Sequence, residues 1–139
     1  MFYEKCLKPG LFLLDPERAH NWATFGLKAL SRMGPLVQLL RRCNQVRQDK
    51  PIRLFGLEFP NAVGLAAGMD KNAEFPKAAA ALGFGHIEVG AVTPMRQTGN
   101  PRPRLFRYPD SEALVNRMGF NNDGADAIAE RLARWYPAG

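Results

Sequence analysis

An acid and an amine stand where a run of small apolar residues ends. In "GLAAGMDKN", 64–72, Gly68 closes the run and Asp70 and Lys71 follow it. Small side chains let a flat ligand approach the backbone closely, and a lysine beside it offers a positive charge to an anionic substrate or an electron-rich ring. Two further clusters share this character: "GAVTP", 90–94, and "NRMGFNN", 116–122, where Asn116, Asn121, Asn122 and Arg117 surround Gly119-Phe120. Asparagine amides both donate and accept, which suits an imide or pyrimidine edge. Each cluster also has a plainer reading. Lys71 is equally a solvated loop lysine, Asp70 equally an N-cap for the helix after it, and Asn121, Asn122 and Gly124 equally a turn that caps the last helix.

Other chemistries are excluded by spacing. "GLAAGMDK" is not a P-loop, because its lysine lies three residues past the glycine, and it fails the dinucleotide fingerprint as well. No Ser/His/Asp set, no paired catalytic carboxylates and no His/Cys metal spacing occur, so no metal is expected. Cys6 and Cys43 fit no disulfide framework, which points to a reducing compartment. His20 and Arg107 read by themselves as a polar helix residue and a solvated cation. "RPRLFR" mixes arginines with an aromatic residue, yet no DNA- or RNA-binding motif accompanies it, and no nucleic-acid partner is expected.

The elements that must position these groups follow from periodicity. Phe2, Tyr3, Cys6 and Leu7 form one face of a first helix ending at Pro9-Gly10. In "DPERAH", Asp15 caps a second helix, Pro16 takes its first position and Glu17 suits the positive end of its dipole. Ala19, Trp22, Ala23, Gly26, Leu27, Leu30 and Met33 then recur at helical spacing until Gly34-Pro35, and 36–43 forms another short helix. The polar segment 44–51 reads as a linker. Beyond it, "IRLFGLEFP" is a hairpin around Gly56, "NAVGLAA" a buried strand, 74–84 a helix and "HIEVGAVTP" a second strand. That order is a βαβ unit and implies a parallel sheet. The stretch 95–124, rich in proline and arginine, reads as irregular. A last helix carries Ala125, Ile128, Ala129 and Leu132 on one stripe, capped by Asn122 or Asp123. Ligands of parallel α/β folds sit at the carboxyl ends of the strands, where the three polar clusters fall.

The 139 residues suffice for a packed core, and 46% hydrophobic with 23% charged residues is globular composition. The net charge of +6 is unevenly spread, because residues 1–50 hold nine Lys/Arg against four Asp/Glu and residues 51–139 hold ten against nine. The apolar edge of this basic helical lobe either packs on the rest of the chain or dips into an anionic membrane surface. No apolar run approaches the ~20 residues of a transmembrane helix, and the N-terminus resembles neither a signal nor a transit peptide.

In this order, "LDPERAH", "NAVGLAAGMDKN", "GFGHIEVGAVTP", "GNPRPRLFR" and "NRMGFNN" resemble the class 2 (quinone-dependent, membrane-associated) dihydroorotate dehydrogenases over nearly the whole chain. The resemblance implies an α/β fold, the N-terminal part of a (β/α)8 TIM barrel preceded by a small helical domain. Residues 1–45 would form a membrane and quinone-tunnel lobe, and 46–139 the first strands and helices of an incomplete barrel. It implies FMN lined by Ala67, Gly68, Met69, Asp70, Lys71 and Ala91, the last standing where the family commonly has threonine. It implies dihydroorotate or orotate held by Lys71, Asn116, Arg117, Met118, Gly119 and Phe120, and ubiquinone or another membrane quinone met by His20 and Arg107. The family's catalytic serine would lie beyond Gly139, so the 139 residues alone are expected to be inactive and to bind FMN poorly. The implied location is peripheral, on the cytoplasmic side of a bacterial inner membrane. The competing expectation is a non-catalytic module that binds a membrane surface or a partner.

Overall fold

A computed structural model describes residues 3–44 and 51–136. Phe2 and most of the expected linker lie outside the described residues. The chain opens with a π-helical turn, Tyr3–Leu7, that runs straight into α1 (Lys8–Phe12). The expected stop at Pro9-Gly10 is therefore corrected. Pro9 falls in the first turn of α1, directly after the π-helical turn, and does not end the helix there. Helix α2 (Pro16–Ser31) begins as expected, with the Asp15 carboxylate accepting from the amides of Glu17 and Arg18 at 3.0 and 3.1 Å. Helix α3 (Gly34–Cys43) starts two residues earlier than expected, since Pro35 again sits in a first turn.

The expected hairpin is present. β1 (Ile52–Leu54) and β2 (Leu57–Phe59) pair antiparallel, with Leu54 opposite Leu57 across the Phe55-Gly56 turn. Both turn residues have positive φ, 54° and 74°, the geometry whose twist matches a two-residue hairpin. β3 (Gly64–Leu65) and β4 (His86–Ile87) pair in parallel across α4 (Pro76–Ala81), the βαβ unit read from sequence. The strands are shorter than expected, but bonds from Gly85 N to Val63 O, Glu88 N to Leu65 O and Gly68 N to Gly90 O keep the segments side by side past the ladder. At Gly64 the His86 ring lies over the backbone, and a Cβ there would come within 2.0 Å of it, so a larger residue would have to displace the ring.

Helix α4 is also shorter than the expected 74–84. The amides of Glu74 and Phe75 are taken by Asp70, and Gly83, at φ 103°, turns the chain away at the far end. Phe75, Ala78 and Ala79 form the buried core, with Leu27 and Leu30 of α2 and Leu65, Met69, Phe84 and Ile87 packed around it. Ser31 of α2 accepts from the Ala78 amide at 3.1 Å, so one helix satisfies an end group of another.

The stretch 95–124 is not irregular throughout. β5 (Leu105–Tyr108) and β6 (Ala113–Asn116) form an antiparallel hairpin over a 3-10 turn at Pro109–Ser111. Helix α5 (Ala125–Trp135) follows, and its N-cap is Gly124 rather than Asn122 or Asp123. Asn122 instead clasps the loop after β4: it donates to Thr93 Oγ1 at 2.9 Å and accepts from Gly124 N at 2.9 Å. Among the described residues the strands form three two-stranded sheets and no closed barrel. No described helix is long and apolar enough to cross a membrane.

Candidate functional site

A cleft of about 640 Å³ lies where three separate stretches converge: Ala67–Asn72 after β3, the Asn116–Asn121 segment after β6, and the inner face of α2 with Glu17, His20, Asn21 and Thr24. The floor is rigid. Asp70, 1% exposed, accepts from Glu74 N at 2.8 Å and Phe75 N at 3.0 Å, tying the loop to the start of α4. The plainer reading of Asp70 thus holds in part, since its carboxylate serves the backbone just ahead of the helix. Helix α5 clamps the next residues: Arg131 donates to Asn72 O, Trp135 Nε1 to Ala73 O, and Asn72 accepts from Asp123 N. Gly68 adopts φ 102°, and a Cβ there would meet no atom within 4 Å, so the backbone is bare on that side.

Into this cleft Lys71 extends its ammonium, which donates to Asn121 Oδ1 at 2.6 Å. Burial, then the positive charge of Arg104, holds the Lys71 amine below its ordinary value, while the Glu17 carboxylate pulls it back up. His20 is pushed down from 6.5 by burial and then by Lys71, with Glu17 opposing, so it is a neutral imidazole at pH 7. Behind them Glu17 and Arg104 form a buried ion pair, Nη2 to Oε1 at 2.8 Å.

Ala67, Gly68, Met69, Asp70, Lys71, Asn116, Met118, Gly119 and His20 therefore share one cavity. Four expected site residues stand outside it. Ala91 is exposed. Arg117 donates to Pro103 O at 3.1 Å and lies 5.9 Å from the Phe106 ring centre. Phe120 is 63% exposed. Arg107 stacks 4.2 Å over Phe12 and reaches Leu14 O, so it meets the helical lobe at α1 rather than at His20. The sequence reading missed Glu17 and Arg104 as cavity residues, and it named Asn121 within a polar cluster without its contact to Lys71. The "PRPR" arginines pointed there, but only a partner carboxylate distant in sequence distinguishes a buried arginine from a solvated one.

Comparison with known proteins places the chain in a family. The family model described as dihydroorotate dehydrogenase matches residues 51–138. Relatives named dihydroorotate dehydrogenase (quinone) include those of Halobacterium salinarum, 55% identical over 91% of this chain, and Methylococcus capsulatus, 52% identical over 96% of it. The chain spans only 36% and 37% of the length of those two relatives. Among solved structures, DHODH of Eimeria tenella in complex with ferulenol is 37% identical with a TM-score of 0.66, covering 87% of this chain and 30% of that one. The ligand-free form is 38% identical with a TM-score of 0.68, covering 87% of this chain and 32% of that one. The family match over residues 51–138 shows that the chain belongs to the dihydroorotate dehydrogenase family.

Proposed function

We propose that these residues are the N-terminal part of a quinone-dependent dihydroorotate dehydrogenase, which oxidises dihydroorotate to orotate through FMN and passes the electrons to a membrane quinone in pyrimidine biosynthesis. The observation that carries this reading is the meeting of Lys71 and Asn121 in one cleft, 50 positions apart in sequence, with His20 of the helical lobe on the same wall. The relatives' names support the substrate and the acceptor. On this reading β3, α4 and β4 open a (β/α)8 barrel, with residues 1–45 as the lobe before it.

The residues present fit a flavin. Ala67 and the bare backbone at Gly68 leave room for a flat ring, and Lys71 supplies a cation beside it. Bound there, FMN would accept a hydride and release its two electrons to the quinone. Lys71 opposes the negative charge of the substrate carboxylate, and a fixed ammonium needs no reorganisation as charge develops. Asn116 offers its amide to the pyrimidine edge, while its Oδ1 accepts weakly from Met118 N at 3.3 Å. Asn121 holds the Lys71 ammonium in place.

On the lobe side, a groove of about 480 Å³ lined by Leu14, Arg18, Asn21, Trp22 and Phe25 adjoins the cleft through Asn21, which borders both. Trp22 and Phe25 are each 66% exposed, as apolar groups at a membrane surface would be, and the basic charge of residues 1–50 suits anionic headgroups. This groove is our candidate quinone entrance, on a protein bound peripherally to the cytoplasmic face of an inner membrane. The family's proton-accepting serine belongs to a segment outside these residues.

The test compares the intact polypeptide with residues 1–139 alone, following orotate formation with a soluble quinone. The intact protein is expected to be active and the segment inactive and nearly flavin-free. Leu54, Leu57, Val63, Leu114 and Val115 are exposed in the segment, an apolar surface that an open sheet leaves uncovered. Orotate formation by the segment, or none by an intact flavoprotein, contradicts the proposal.

A further inference from the structure

Glu17 has no part in the chemistry above, yet its carboxylate is buried, with 6% of the residue exposed. A helix-dipole role asks only for an exposed acid in the first turn. Instead Arg104 donates to it through Nε at 3.1 Å and Nη2 at 2.8 Å, and Arg102 adds a contact at 3.0 Å. Arg104 is 7% exposed and spends its other terminal nitrogen on Thr98 O and Asn100 O, at 2.8 and 3.0 Å. The backbone continues the chain of bonds. Arg117 N donates to Arg104 O at 2.9 Å, Asn100 N to Met118 O at 3.0 Å, and Asn100 Nδ2 to Arg117 O at 2.7 Å. That segment ends in Asn121, which holds Lys71. An unbroken path of hydrogen bonds and backbone therefore runs from α2 to the ammonium across the cleft.

We propose that Glu17 and Arg104 are a positioning pair for Lys71, locking the helix that bears His20 to the wall that bears Asn116–Asn121 and setting the charge Lys71 presents to its ligand. The two members act on that charge with opposite sign, Arg104 opposing the ammonium and Glu17 favouring it. The other charged groups around the cleft are already engaged. Asp70 accepts from two amides, Glu74 pairs with Lys28, Arg102 leans on Glu17, and the neutral His20 faces Lys71 from α2. What the charge serves rests on the function proposed above, whereas its control by this pair does not.

The experiment measures acetylation of Lys71 across pH by peptide mass spectrometry, in the intact protein and in Glu17→Gln and Arg104→Gln, each relative to its own alkaline plateau. At neutral pH Lys71 is expected to react about threefold faster in Glu17→Gln and about threefold slower in Arg104→Gln. A merely structural role predicts a looser, wetter cleft in both variants, hence slower reaction in both. Shifts of the same sign, or none, overturn the proposal. If Glu17→Gln does not fold, the double variant Glu17→Gln/Arg104→Gln leaves no buried unpaired charge. It is expected to react faster than Arg104→Gln, within about twofold of the parent. A double variant as slow as Arg104→Gln overturns the proposal. Dihydroorotate turnover on the same parent sample separates the two claims, since its absence would defeat the proposed function and leave the lysine readout intact.

Discussion

Lys71 takes its direction from one neighbour, Asn121, and its charge from burial, Arg104 and Glu17 together. Its place after Gly68 was legible in the sequence as either a ligand-facing cation or a solvated loop lysine, and the fold decides between them by bringing it into the cleft. Glu17 was not legible in this way. In sequence it is a first-turn acid, and its partner Arg104 lies 87 positions away. Its depressed pKa makes a pH-dependent prediction. Hydrogen bonds from Arg104 are the largest cause of the shift below 4.5, so the stabilisation is fully present above 4.5 and fades as pH falls through the lower folded value. Glu17→Gln is expected to lose about 3–5 kcal/mol at pH 7, the cost of breaking a buried pair. The gap from the parent should close in acid below pH 4.5, as read by denaturant unfolding at several pH values. A gap independent of pH would show that the carboxylate's charge is not what stabilises.

At the scale of elements, the start of α2 and the βαβ order were legible, since caps, prolines and period 3.6 are local signals. By contrast, α3 began two residues before its reading, α4 two after, and α5 took Gly124 as its cap. Asp15-Pro16 opened α2 as written, and Phe55-Gly56 turned the first hairpin. The β5–β6 hairpin was hidden by the prolines and arginines before it. Its signal was present in "LFRY" and "ALVN" around the Pro109-Asp110 turn, but four-residue strands beside a proline-rich loop carry little periodicity. Helix lengths were overestimated where a side chain took the end amides, as Asp70 does before α4. The junction of α2 with α4 depends on Ser31, which is 5% exposed and accepts from Ala78 N. Ser31→Ala leaves that buried amide unsatisfied and is expected to cost about 1–3 kcal/mol in thermal or denaturant unfolding, where a surface Ser→Ala change would cost almost nothing. An unchanged midpoint would mean that α4 does not lean on α2.

For the molecule as a whole, sequence resemblance supplied the frame and the fold supplied its connections. The helical lobe is joined to the rest by α2 packing on α4, by Glu17–Arg104 and by Arg107 over Phe12, none of which periodicity reveals. The aromatic pair Trp22–Phe25, edge to face at 6.4 Å, stands on the outer side of that lobe. Trp22→Ser/Phe25→Ser is expected to weaken flotation with anionic vesicles about tenfold while leaving unfolding unchanged. Equal flotation would place the membrane surface elsewhere. We propose that the cleft around Lys71 holds flavin and dihydroorotate together, which anaerobic mixing of the intact flavoprotein with dihydroorotate tests while flavin absorbance is followed. Rapid bleaching is expected in the parent, and bleaching at least about 100-fold slower in Lys71→Met with flavin still bound. Bleaching of Lys71→Met at the parent's rate, or a parent flavin that dihydroorotate does not reduce, would contradict it.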